Sequence, residues 1–208
     1  MIQNNSMLVD LVINKWGATK QDNKVSAEVE VQHAATGAGK YVKYLIDKAH
    51  LAELTTLAGA ARTYHNSMTL AWTDKGQRIL PSALFMDYRA GIQGYRDKYR
   101  AARDKFLAEY PQLVQDARTR LGTMYDPSEY PSVDELRSAF DITVEFMPVP
   151  DAKDFRVDVA QETQDEIRAQ ITDTVNARVD KAVQGCWART REVLERIGHV
   201  GRLHKGEV

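Results

Sequence analysis

Cysteine is nearly absent from this chain: Cys186 stands alone among 208 residues. One thiol excludes an internal disulfide framework and suits a reducing compartment. Long apolar runs are missing too, and none approaches the ~20 residues that a membrane-spanning helix requires. The start, Met1 to Ser6, lacks the basic and apolar regions of a secretory signal, so a cytoplasmic protein is expected. Net charge is also lacking, with 28 basic residues against 29 acidic ones. That balance argues against a histone-like binder but leaves room for one local basic surface.

Motifs for nucleotides, metals and nucleophiles are equally scarce. Thr36-Gly37-Ala38-Gly39-Lys40 approximates a phosphate loop, but Ala34 and Tyr41 occupy the positions that need Gly and Ser/Thr. No G-x-G-x-x-G fingerprint marks a dinucleotide site. Of the five histidines only His199 and His204 are close, and neither has a Cys or acidic partner at ligand spacing. Glu28/Glu30, Asp134/Glu135 and Asp165/Glu166 read as helix-start or solvated-face pairs, and no serine-centred nucleophile motif is present. Cys186, beside Trp187 on an apolar stripe, reads as a buried structural thiol. The expectation is a protein without catalytic residues, metal or cofactor.

What the chain does have is segregated charge. Lys40 to Ala108 carries 12 Lys/Arg against 6 Asp/Glu; Glu109 to Asp173 carries 6 against 15; Thr174 to Val208 carries 7 against 4. The basic stretch also holds nine aromatic residues, from Tyr41 to Phe106. Cations neutralise phosphates and aromatic rings stack on bases, so the mixture suits a single-stranded nucleic-acid binder. It equally suits a helical protein with a mixed-charge surface and an aromatic core.

Patterning gives an α+β fold: a small mixed α/β head with a long antiparallel, coiled-coil-like helical arm, not an OB fold. The head spans 1–81. Alternation predicts strands over Met7–Asn14 and Lys40–Ile46, while Asn23–Gln32 fits either a strand or amphipathic helix. Asp47 caps a helix from Lys48 to about Thr63, and Thr69–Trp72 and Gln77–Leu80 form a hairpin with Gly76 in its turn. The arm spans 82–125. Phe85, Tyr88, Ile92, Tyr95, Tyr99, Ala102 and Phe106 recur at 3-4 spacing, and Pro111 separates a second segment. Residues 126–160 return to the head through a capped helix at Ser132/Glu135 and strands at Ile142–Met147 and Phe155–Val159. A long helix spans 161–197, and 198–208 form a mobile basic tail. At ~1.5 Å per residue that helix runs roughly 55 Å, too long to bury its apolar side in so small a globule. It therefore pairs with the 82–125 helices, with another subunit, or with both.

Candidate DNA contacts follow from this frame. With Val42, Tyr44 and Ile46 facing a core, Lys43 and Tyr41 face outward together, beside Lys40. Lys75 and Arg78 lie at the hairpin tip. Arg89, Arg96, Arg100 and Arg103 lie off the aromatic seam, and Arg202 and Lys205 lie in the tail. The basic residues are the candidate phosphate ligands; Tyr41 and Trp72 are the candidate stacking platforms.

The segments Leu11–Trp16, Gly39–Ile46 and Trp72–Leu80, with the aromatic-basic run Tyr95-Arg96-Asp97-Lys98-Tyr99-Arg100, carry a resemblance. Along most of its length the chain resembles the Drc-like single-stranded-DNA-binding RNA polymerase cofactors of short-tailed bacteriophages. The resemblance implies sequence-independent binding of single-stranded DNA and an accessory role with a phage-encoded RNA polymerase in early or middle transcription. It places the protein in the host cytoplasm. A homo-oligomer is expected from the long helix, and no membrane association. The segment order also resembles phage and bacterial proteins found near MoxR-type ATPases, which implies an oligomeric adaptor that partners an AAA-type ATPase.

Overall fold

The computed structural model describes residues 5–73, 76–152 and 161–203, with side chains as far as Ile197. The architecture is α+β, mostly helical with a small antiparallel sheet, and the described strands close no barrel. Among the described residues, six strands and five α-helices form: β1 Ser6–Asn14, β2 Thr19–Gln21, α1 Asn23–Gln32, β3 Val42–Tyr44, α2 Ala52–Met68, β4 Leu70–Ala71, β5 Arg78–Pro81, α3 Phe85–Leu121, α4 Val133–Ala139, β6 Asp141–Pro148 and α5 Gln161–Leu203. The expected strand at Phe155–Val159 lies outside the described residues. The chain divides into two compact units, Met1–Val12 with Arg62–Ile92 and Val144–Val208, and Ile13–Ala61 with Gln93–Thr143.

In the first unit the sheet order is β4-β5-β1-β6. β5 pairs antiparallel with β1, Leu8 opposite Ile79, and with β4, Leu70 opposite Ile79. The expected hairpin therefore forms, with Gly76 at φ 106° in its turn. Alternation along β1 and β5 puts Leu8 and Ile79 into a core with Trp72, Val149, Val175 and Ala182. Ile171 and Val179 of α5 pack on the same cluster. Fully burying one such large side chain contributes about 1.5–3 kcal/mol. The α5 stripe is thus used in its first half to cover the sheet.

In the second unit the core is aromatic. Tyr99, Phe106 and Tyr110 of α3 are buried, with Trp16 5.9 Å from Tyr110 and Phe140 5.8 Å from Phe106 between ring centroids. The seam expected of a coiled coil here packs against Trp16 and Phe140 instead. α3 runs straight through Pro111 as one helix of 37 residues, where two segments were expected. Pro111 is exposed, so its ring points to solvent while the core face of the helix stays intact. α4 starts at a full capping box: Glu135 N–H donates to Ser132 Oγ, and Ser132 N–H donates to Glu135 Oε2.

The ambiguous segment Asn23–Gln32 is helical because Asp22 caps it, its carboxylate accepting from Lys24 and Val25 N–H at 3.1 Å each. No α1 residue is buried, and Val31 is 83% exposed. Local capping decides this helix, since none of its side chains enters a core.

Candidate nucleic-acid interface

The β2–β3 ribbon of the second unit holds the first group of candidate DNA contacts. Its antiparallel register sets Thr19 opposite Tyr44, Lys20 opposite Lys43 and Gln21 opposite Val42. The ribbon is extended by Asp22 N–H donating to Tyr41 O and Leu45 N–H donating to Ala18 O. Its facing reverses the sequence expectation. Lys43 is 5% exposed, whereas Val42 and Tyr44 are 46% and 43% exposed.

The reason is an ion-paired seat for Lys43. Its Nζ lies 2.8 Å from Glu129 Oε2 and 3.3 Å from Asp22 Oδ2, and donates to Met124 O at 2.8 Å. Burial depresses the ammonium, but the Glu129 and Asp22 carboxylates, which accept from it, outweigh that effect and raise its pKa. Val25 N–H is the largest influence holding the Asp22 carboxyl below its usual value, with Lys43 adding to it against a burial cost. A lysine so held is no phosphate ligand, and alternation then turns Val42 and Tyr44 outward.

What the ribbon does offer is Tyr44. Its ring lies 4.3 Å below Lys48 Nζ. Arg120, from the last turn of α3, donates to Tyr44 O and Leu45 O at 2.8 and 3.0 Å. Tyr130 also donates to Leu45 O, so the strand is pinned while its outer face stays open. Lys40 and Tyr41 are exposed as expected, and the Tyr41 backbone N–H is fixed by Ser26 Oγ at 2.9 Å. Lys20 is exposed as well. Tyr44, Lys48, Lys20 and Arg120 were absent from the sequence-derived set. The spacing of Tyr44 and Lys48 across the Asp47 turn was the available signal.

Three further expectations are corrected. Trp72 is no stacking platform: it is 2% exposed in the first unit's core, with the Arg178 guanidinium 5.7 Å from the ring centroid. Arg78 is not a free hairpin cation. It donates to Thr69 O at 2.9 Å and Asn66 O at 3.3 Å, joined there by Arg189 at 3.1 and 3.0 Å. The two guanidiniums satisfy carbonyls at the C-terminal end of α2, where orphan acceptors and the helix dipole favour cations. Burial, then Arg189, lowers the Arg78 pKa. Cys186 is exposed, not buried.

Among the α3 cations, Arg96 and Arg100 reach the Asp141 carboxylate at 3.3 and 3.1 Å. Burial raises the Asp141 carboxyl, but these two arginines outweigh it and hold it below its usual value. Arg103 lies 2.9 Å from Asp104. Arg89 is exposed in the first unit. Lys75 and Lys205 lie outside the described residues, and Arg202 falls in α5 beyond the described side chains. The structure thus brings Lys40, Tyr41 and the new Tyr44 group together on one short ribbon and leaves the remaining candidates elsewhere. Among the described residues no three His, Cys, Asp or Glu side chains are placed to hold a metal ion, and no helix is long and apolar enough to cross a membrane. Comparison with family models, curated proteins and solved structures finds no match.

Proposed function

We propose that this protein is a non-enzymatic binder of single-stranded DNA that acts through the β2–β3 ribbon. The observation that supports the reading is the half-exposed Tyr44 beneath Lys48, on a ribbon that also exposes Tyr41, Lys40 and Lys20. Stacked bases meet the tyrosines; the ammonium groups meet phosphates. The accessory role with a phage-encoded RNA polymerase rests on the family resemblance alone. The test is fluorescence anisotropy with labelled single-stranded and duplex oligonucleotides of equal length, at low and physiological salt. Single strands bind more tightly, and the affinity falls with salt. Tyr44→Ala, and separately Lys48→Gln with Lys40→Gln, weaken binding about tenfold or more, in line with ~1–3 kcal/mol per stacked base. Absence of binding to either oligonucleotide at low salt overturns the proposal.

A second reading, an adaptor that self-assembles, is favoured by a separate observation. Beyond Ala182 the α5 stripe is uncovered: Val183, Trp187, Leu194 and Ile197 are 40%, 67%, 62% and 63% exposed. With Thr190 they repeat at 4-3-4-3 spacing, the seam of a coiled coil. On an adjacent face of α5, Cys186, Val193 and Leu194 line an apolar groove of about 550 Å³ with Leu70, Pro81 and Leu84. Oligomerisation through this seam is compatible with DNA binding; an adaptor without DNA affinity requires the seam alone. An AAA-type ATPase is the partner that this reading would supply.

A further inference from the structure

A cleft in the second unit, beside the ribbon, has the dimensions and chemistry of a ligand site. It encloses about 390 Å³, within the range of small-molecule pockets. Trp16, half-buried, forms the aromatic part of one wall, backed by the buried Tyr99, Phe140, Leu51 and Leu54. That wall is rigid. Tyr99 donates its hydroxyl to Asn14 O at 3.0 Å, and the rings of Trp16, Phe106 and Phe140 contact one another in series. Thr55 and Thr56, exposed on α2, supply hydroxyls. Lys15 and Lys48 also line the cleft, both exposed, and neither is paired with a carboxylate among the described residues. The nearest acid in sequence, Asp47, is turned to cap Ala49 N–H at 2.9 Å.

An aromatic slot, two hydroxyls and two ammonium groups without carboxylate partners suit a planar heterocycle carrying a phosphate. We propose that the cleft is a nucleotide subsite, with the base against Trp16 and its phosphate held by Lys15 and Lys48. Lys48 is shared with the Tyr44 platform, so a strand crossing the ribbon can place one base on Tyr44 and the next in the cleft. The identification of the strand as ligand rests on the proposed single-stranded DNA binding; the cleft's affinity for a nucleotide does not.

The test uses the full chain and Thr55→Phe, which fills the cleft from an exposed helix position; Thr56→Tyr replaces it if thermal melting shows that Thr55→Phe unfolds. Anisotropy is measured with oligothymidylate and with an abasic oligomer of equal charge. A nucleotide subsite predicts about tenfold weaker oligothymidylate binding by Thr55→Phe with little change for the abasic oligomer. Lys15→Gln weakens both. Equal oligothymidylate affinity of Thr55→Phe and the parent overturns the cleft proposal, while a loss with Tyr44→Ala keeps the ribbon reading. If the parent binds no oligonucleotide, saturation-transfer NMR with thymidine 5′-monophosphate decides. A signal that Thr55→Phe removes and that plain thymidine gives more weakly supports a free-nucleotide site; no signal overturns it.

Discussion

His65 is 5% exposed, and its Nδ1 lies 2.8 Å from the Tyr88 hydroxyl. Burial, with Arg78 adding to it and Asp10 opposing, pushes the imidazole down to about 4 from an ordinary 6.5. The neutral ring is therefore the folded form. Between those values the unfolded chain binds a proton that the folded chain refuses, so stability falls as pH drops from about 6.5 to about 4, then levels. Discounted for solvent screening, the loss is on the order of 2 kcal/mol. Denaturant melts from pH 7.5 to 4 measure it, and His65→Gln, which keeps a partner for Tyr88, flattens the contribution of this site. A slope unchanged in His65→Gln assigns the acid sensitivity elsewhere. The inward facing of Lys43 has its reason at the same scale. A lysine in an alternating strand is outward by default, and only the meeting of Asp22 with Glu129, far apart in sequence, supplies a buried seat for it.

At the scale of elements, local chemistry was the reliable guide. The capping box at Ser132, the cap at Asp47 and the hairpin around Gly76 all formed as read, because each is decided within a few residues. Pro111 was read too strongly. It removes one backbone donor, so the i−4 carbonyl of Leu107 loses its helix hydrogen bond, yet the flanking Leu107, Tyr110 and Leu113 are buried and hold α3 continuous. Pro111→Ala restores that donor at an exposed position. The expected result is a stabilisation of about 1–3 kcal/mol, read as a higher melting temperature. A lower melting temperature would mean that the proline ring itself packs. Helical phase explains the fate of α5. At 3.6 residues per turn, Val175 and Ala182 share the face that covers the sheet, whereas Trp187, twelve residues beyond Val175, lies about 120° around the helix and is exposed.

For the whole molecule, that uncovered seam sets a test of assembly. Size-exclusion chromatography with light scattering reports a multiple of 23.5 kDa if α5 pairs with a second copy. Trp187→Glu with Leu194→Glu then returns it to a single chain, with unchanged helicity because both sites are exposed. A parent that is already monomeric at high concentration removes the assembly reading and leaves DNA binding untouched. The segregation of charge has a related lesson. Several cations of the basic stretch serve the fold: Arg78 closes α2, Arg96 and Arg100 clamp Asp141, and Lys43 is buried. The net positive charge of that stretch thus overstates the free cations.

Composition, period and capping determined by themselves the α+β class and the rough positions of most helices and strands. These depend on local backbone preferences and on the match between hydrophobic repeat and helix or strand period. Tertiary structure alone decided which face of β3 is buried, that Trp72 belongs to a core, and that Tyr44, Lys48 and Lys15 border one ribbon and cleft. Those outcomes turn on partners remote in sequence. A side chain's direction is set by whatever meets it, and Glu129 meets Lys43 only once the chain has folded.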